Sequence, residues 1–224
     1  RILTASLGSQ YPDMLYYVTG AYEFHNEINN NFDNVGVKAI DDFTLEVNLK
    51  NPTPFFLGLL SHYSTWPVHK ETVLKYGDID DRNGEWTRPG NFVCNGPFQL
   101  KSWELNSQII VDMNPFYWDA KKVKLNEIHF YPVQNTMTED RMFRAGQLHL
   151  TSSLPSQKCP IYIEENNPNW RIDPYMGTYF YRFNTKHPVL KDVKVRKALA
   201  YSINRTQLVE KVTKCGQIPA YSFT

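Results

Sequence analysis

The chain has 224 residues, 42% of them hydrophobic and 21% charged, a balance that builds a packed core and excludes wholesale disorder. Its 24 basic and 23 acidic side chains leave a net charge of +1, so no overall field draws it to nucleic acid or anionic lipid. No apolar run approaches the roughly 20 residues that span a bilayer, and Cys94, Cys159 and Cys215 stand too far apart for a zinc site.

Residues 1–35, with "FHNEINNNFDN", read as a weak helix followed by a loop. "VGVKAIDDFTLEVNLKNP" predicts a hairpin: Val37 and Ala39, then Phe43, Leu45, Val47 and Leu49 alternate with polar residues, and Asp41-Asp42 supply the turn. Pro54 suits the first position of a short apolar helix, and "HKETVLKYG" predicts another, closed by Gly77. A polar loop follows from Asp78 to Gly90. Phe98, Leu100 and Trp103 then form one face of a strand, and Ile109, Val111 and Met113 a face of the next.

Between and after these strands stands "NPFYWDA", where the bulk of Phe116, Tyr117 and Trp118 suggests anchors for a turn, with Trp118 the main one. "LNEIHFYPV" predicts a third strand. Thr136 with Glu139 has the spacing of a capping box and predicts a helix ending near Gly146. "LHLTSS" predicts a short strand, and Pro155 and "EENNPNW" bracket a weak helix. "DPYMGTYFYRFNT" is the most aromatic predicted strand, with Tyr179, Tyr181 and Phe183 on one face and Thr178, Phe180 and Arg182 on the other. Asp192 and Asn204 are the predicted N-caps of two final helices. Strands and helices interleave without a regular βαβ rhythm, which predicts a mixed α+β fold.

Sequence motifs for chemistry are missing. Neither GxGxxG nor a P-loop occurs, and there is no GxSxG or HExxH. The acid pairs Asp41/Asp42, Asp80/Asp81 and Glu164/Glu165 fit solvated turns better than acid–base catalysis, and His149 fits an ordinary strand position. Eight basic residues between Lys186 and Lys214 face only Asp192 and Glu210, a pattern typical of solvated helix faces. A binding role is left: the tyrosines of "YMGTYFYRF" suit a cleft lining, with Arg182 as a partner for a carboxylate. Each aromatic taken alone fits core packing better.

Four segments in order, "GVKAIDDFTLEVNLKNPTPFF", "NGPFQLKSWELNSQIIVDMNPFYWD", "FRAGQLHL" and "HPVLKDVKVRKALAYSINRTQLVEKV", resemble the oligopeptide-binding proteins, the extracytoplasmic solute-binding subunits of peptide ABC transporters. The resemblance runs from about Val35 to Thr224. It implies an α/β fold of periplasmic-binding-protein-like lobes that close by hinge motion on an extended peptide, held mainly through its backbone. It also implies a middle segment: 1–69 as part of a small accessory lobe, 70–175 as the centre of the first ligand-binding lobe, and 176–224 as the start of the second.

Residue by residue, the resemblance places Tyr175 as a pocket tyrosine at the lobe crossover. Thr178, Tyr179, Phe180, Tyr181 and Arg182 fall on the first strand of the second lobe, part of which lines the cleft. Ser152 stands where relatives have a pocket tyrosine, and Arg182 where they have an acidic residue. Gly177 replaces a cysteine that is bridged in some relatives. Thr213 replaces a lysine that takes a peptide carboxylate, and Lys214 points about 100° away on a helix. The expected partners are a short peptide and a membrane permease, with no cofactor, no metal and no nucleic acid. The expected state is monomeric, and the expected location is the periplasm, or the cell surface as a lipoprotein. The same fold also serves carriers of murein peptide, dipeptide, haem or metal chelates, and the sensor domains of transcription regulators.

Overall fold

The computed structural model describes residues 1–175 and 177–223. They form two compact units, Arg1–Pro132 and Val133–Thr224.

The core of the first unit gathers Leu3, Val18, Ala21, Val35 and Phe56, with Leu15, Phe24, Val47 and Leu49 packed around them. Helix α1 (Ala21–His25) starts from Gly20, whose φ of 72° is left-handed. A Cβ there would lie 2.2 Å from the Asn34 carbonyl oxygen, so only glycine lets the two chain segments meet. Strands β1 (Val37–Asp41) and β2 (Thr44–Val47) make the predicted antiparallel hairpin. The turn sits one residue later than the pattern implies: Asp41 closes β1, its carboxylate accepts from the Phe43 amide, and Phe43 is left exposed in the turn. Helix α2 spans Phe56–Leu59, two residues beyond Pro54, and α3 spans Lys70–Lys75 with His69 as its cap.

Strands β3 (Phe98–Glu104), β4 (Gln108–Met113) and β5 (Glu127–Phe130) form an antiparallel sheet in that order. Phe98 pairs with Met113, Leu100 with Val111 and Trp103 with Ile109, while Ile128 and Phe130 oppose Val111 and Ile109. Strict alternation would turn Trp103 away from Leu100. The register shift between Leu100 and Ser102 inserts Lys101 as an extra residue and returns Trp103 to the apolar face. On the opposite face, which carries Ile110 among polar residues, Glu127 accepts hydrogen bonds from Lys101 and His129, in that order of effect, and these hold its carboxyl below the usual glutamate range.

Asn114, not the aromatic run, anchors the turn that follows β4. Its side chain is 97% buried, donates to the Gly96 carbonyl at 2.8 Å and accepts from the Phe116 amide at 3.0 Å. Phe116 and Trp118 are 91% and 82% exposed. The polar groups of a turn need partners, which one amide side chain supplies at both ends and an indole does not.

The second unit contains α4 (Thr136–Arg144), α5 (Cys159–Glu164), α6 (Val193–Tyr201) and α7 (Arg205–Gln207), the last continued by a π-type helix over Leu208–Thr213. Asp192 and Asn204 cap as predicted. The capping box at α4 is corrected: Asn135 is the cap and accepts from the Thr138 amide, so Glu139 lies one position too late to reach back. Among the described residues, the predicted strand at 148–153 is irregular, and 177–183 forms no ladder. A ladder needs a neighbouring strand, and among the described residues none runs alongside these segments. Met176, inside the predicted aromatic strand, lies outside the described residues. Cys159 and Cys215 form a disulfide with Cα atoms 5.2 Å apart, and Cys94 is free. Closing a loop of this length contributes about 4 kcal/mol by restricting the unfolded chain.

Replacement Asn114→Ala is expected to lower stability by about 1–3 kcal/mol, because it strands the Gly96 carbonyl and the Phe116 amide. Urea denaturation checks this, and an unchanged midpoint contradicts the anchoring role.

Candidate functional site

In the aromatic segment, contacts join alternate residues. Tyr179 and Tyr181 share one side, their rings 6.0 Å apart and nearly perpendicular. Phe180 and Arg182 share the other, with the guanidinium 5.7 Å from the Phe180 ring centre and Phe223 edge-on to Phe180 at 4.8 Å. Tyr179 and Tyr181 are largely exposed, while Thr178 is half-buried. Among the described residues no carboxylate pairs with Arg182.

Tyr175 is 91% exposed, and its ring lies over Gly177. A Cβ built at Gly177 would come within 2.3 Å of the Tyr175 ring. The missing side chain at 177 is thus the space that the ring occupies. Local sequence permits this contact, because Gly177 is the one residue type that offers no obstacle.

Ser152 and Thr213 sit apart from the aromatic segment in their bonding. The Ser152 amide and hydroxyl both donate to Glu139, at 2.7 and 3.1 Å. Thr213 donates its hydroxyl to the Val209 carbonyl one turn back. Lys214 leaves the helix in a left-handed conformation, φ 59°, so its direction is set by the cap and not by helical rotation. The structure therefore brings Tyr175, Gly177 and the stretch from Thr178 to Arg182 into one run, and commits the hydroxyls of Ser152 and Thr213 to neighbours within the unit.

A polar network beside α4 has no counterpart in the sequence reading. Asp140, 97% buried, accepts from the Tyr162 hydroxyl at 2.9 Å and pairs with Arg144 at 3.3 Å. Hydrogen bonding to Tyr162, then the Asp140 charge, holds the Arg144 guanidinium more firmly protonated. An open cleft of about 530 Å³ adjoins it, lined by Phe143, Arg144, His149, Tyr162 and Asn167 among others. The i, i+4 spacing of Asp140 and Arg144 was a legible signal; Tyr162 gave none. None of the predicted ligand-contacting residues lines this cleft.

The chain belongs to the bacterial extracellular solute-binding proteins, family 5, whose middle region matches residues 1–224. It is 39% identical over 191 residues to the periplasmic oligopeptide-binding protein OppA of Salmonella typhimurium, covering 85% of this chain and 34% of that one. To the oligopeptide-binding protein OppA of Bacillus subtilis it is 37% identical over 218 residues, covering 95% and 38%. Among solved structures it superposes on Burkholderia pseudomallei OppA with a TM-score of 0.89 at 31% identity, covering 100% of this chain and 44% of that one. Haemophilus influenzae OppA in complex with RPPGFSPFR gives 0.88 at 30% identity, again covering 100% and 44%. The chain thus spans between a third and a half of the length of these relatives.

Replacement Gly177→Ala is expected to drive the Tyr175 ring off its seat. Ring-labelled tyrosine NMR should show one resonance displaced and the other tyrosines in place. An unmoved Tyr175 signal contradicts the contact.

Proposed function

We propose that this chain is part of a solute-binding subunit that captures short peptides outside the cytoplasmic membrane and delivers them to the permease of an ABC transporter. The observation that carries the reading is the match of residues 1–224 to the family, joined to the close superposition on a relative solved with a bound peptide. In this reading 1–69 belongs to an accessory lobe, 70–175 to the first ligand-binding lobe and 176–224 to the second. The role is capture without chemistry.

The aromatic run supports the reading. Its alternation leaves one row of side chains for a cleft and the other for the body of a lobe. Tyrosine rings offer apolar area with a hydroxyl that water can reach, which suits pockets accepting many side chains. Recognition through a peptide's own backbone is indifferent to sequence, so the cleft lining adjusts preference without setting affinity. Ser152 and Thr213 enter as positions that shape the site, and Tyr175 as the residue at its crossover.

Calorimetry of the full-length protein with a pool of di- to pentapeptides is expected to show binding; no heat and no thermal shift would sink the proposal. Replacement Arg182→Glu is expected to change the ratio of affinities for acidic and basic peptides a few-fold, since an exposed ion pair contributes up to about 1 kcal/mol. Neutral peptides should be little affected. Equal losses across acidic, neutral and basic series would contradict a cleft position for Arg182.

A further inference from the structure

We propose that Glu139 is a positioning residue that fixes Ser152 as a hydrogen-bond acceptor, so that the site favours peptide side chains that donate. The side-chain preference rests on the peptide-capture reading, which counts Ser152 among the residues that shape the site. The link between Glu139 and Ser152 stands on the structure of the second unit alone.

That link begins with the place where α4 starts. Asn135 is the cap, and the Glu139 amide donates to the Asn135 carbonyl at 3.0 Å, so the Glu139 side chain is not drawn back to the cap. Gly146, at φ 73°, ends the helix in a left-handed turn. The chain then returns far enough for Ser152 to meet the beginning of α4.

Glu139 is buried. A carboxylate taken out of water needs hydrogen bonds in its place, and Ser152 supplies two to the same oxygen, Oε1. Its amide donates at 2.7 Å and its hydroxyl at 3.1 Å. The first has the short length of a charge-assisted bond, and it ties the backbone of Ser152, so the hydroxyl hangs from a fixed point. The neighbouring Asp140 is engaged by Tyr162 and Arg144, so the Ser152 bonds belong to Glu139.

The chemistry of the hydroxyl follows from its inventory. A serine hydroxyl has one proton to donate and two lone pairs that accept, whereas a carboxylate only accepts. The Ser152 proton is therefore directed at Glu139, and the oxygen presents lone pairs to any third group. Hydrogen bonds in series polarise one another, so the carboxylate makes that oxygen a better acceptor. Ammonium, guanidinium and amide N–H groups of a ligand side chain suit it. A ligand carboxylate has no proton to give and meets lone pair against lone pair.

The test uses the full-length protein and its Glu139→Gln and Ser152→Ala variants. Calorimetry compares alanine tripeptides and tetrapeptides that carry lysine, its uncharged isostere norleucine, or glutamate at each position in turn. At one position lysine should bind several-fold tighter than norleucine, and glutamate weakest. The lysine-to-norleucine ratio should fall towards one in Ser152→Ala and take an intermediate value in Glu139→Gln. A merely structural role for Glu139 would weaken all peptides alike and leave that ratio unchanged. In protein with isotope-labelled serine, the Ser152 amide proton should resonate well downfield and move upfield in Glu139→Gln. An unmoved amide signal, or a ratio that neither variant changes, would overturn the proposal. A moved signal with no peptide bound by any form would reject the peptide reading, and the preference with it, while Glu139 still holds Ser152.

Discussion

The amide and carbonyl of an extended residue must bond to something, and that requirement separates the aromatic stretches of this chain. In β3, β4 and β5 the neighbours are present, so the backbone pairs and the side chains sort onto an apolar and a polar face. Along Gly177–Phe183 no described strand lies alongside. Ring contacts pair alternate residues, and among the described residues 178–183 make no backbone–backbone hydrogen bond. The exposure of Tyr175, Tyr179 and Tyr181 goes with this contrast.

Local and pairwise signals were legible in the sequence. Alternating apolar residues marked the hairpin and the three-stranded sheet, and Asp192 and Asn204 marked helix starts, because each depends on neighbours within a few positions. Trp103 was grouped with Phe98 and Leu100 although strict alternation sets it on the other face, and the bulge at Lys101 is what brings it back to theirs. Signals that depend on distant partners failed. Nothing near Asn114 says that the Gly96 carbonyl will need a donor, and large aromatics such as Trp118 drew attention that the buried amide deserved. The Thr136–Glu139 pattern was shifted by one residue, which sent Glu139 to Ser152.

The candidate site was legible as a pattern and not as a place. Alternation named Tyr179 and Tyr181 against Phe180 and Arg182, and ring contacts in the structure keep those pairs together. Ser152 and Thr213 came only from resemblance, and both hydroxyls have partners inside the unit. Three cysteines allow at most one bridge within the chain, and only the fold selects Cys159 and Cys215, because that choice needs their Cα atoms within reach. Such a bond suits an oxidising compartment.

The central claim is that the aromatic run faces captured peptide. A short peptide carrying a photoreactive phenylalanine analogue, cross-linked to the full-length protein and mapped by mass spectrometry, tests it most directly. The account predicts attachment within Tyr175–Arg182, suppressed by an excess of unlabelled peptide. Competable attachment confined to other parts of the protein would contradict it.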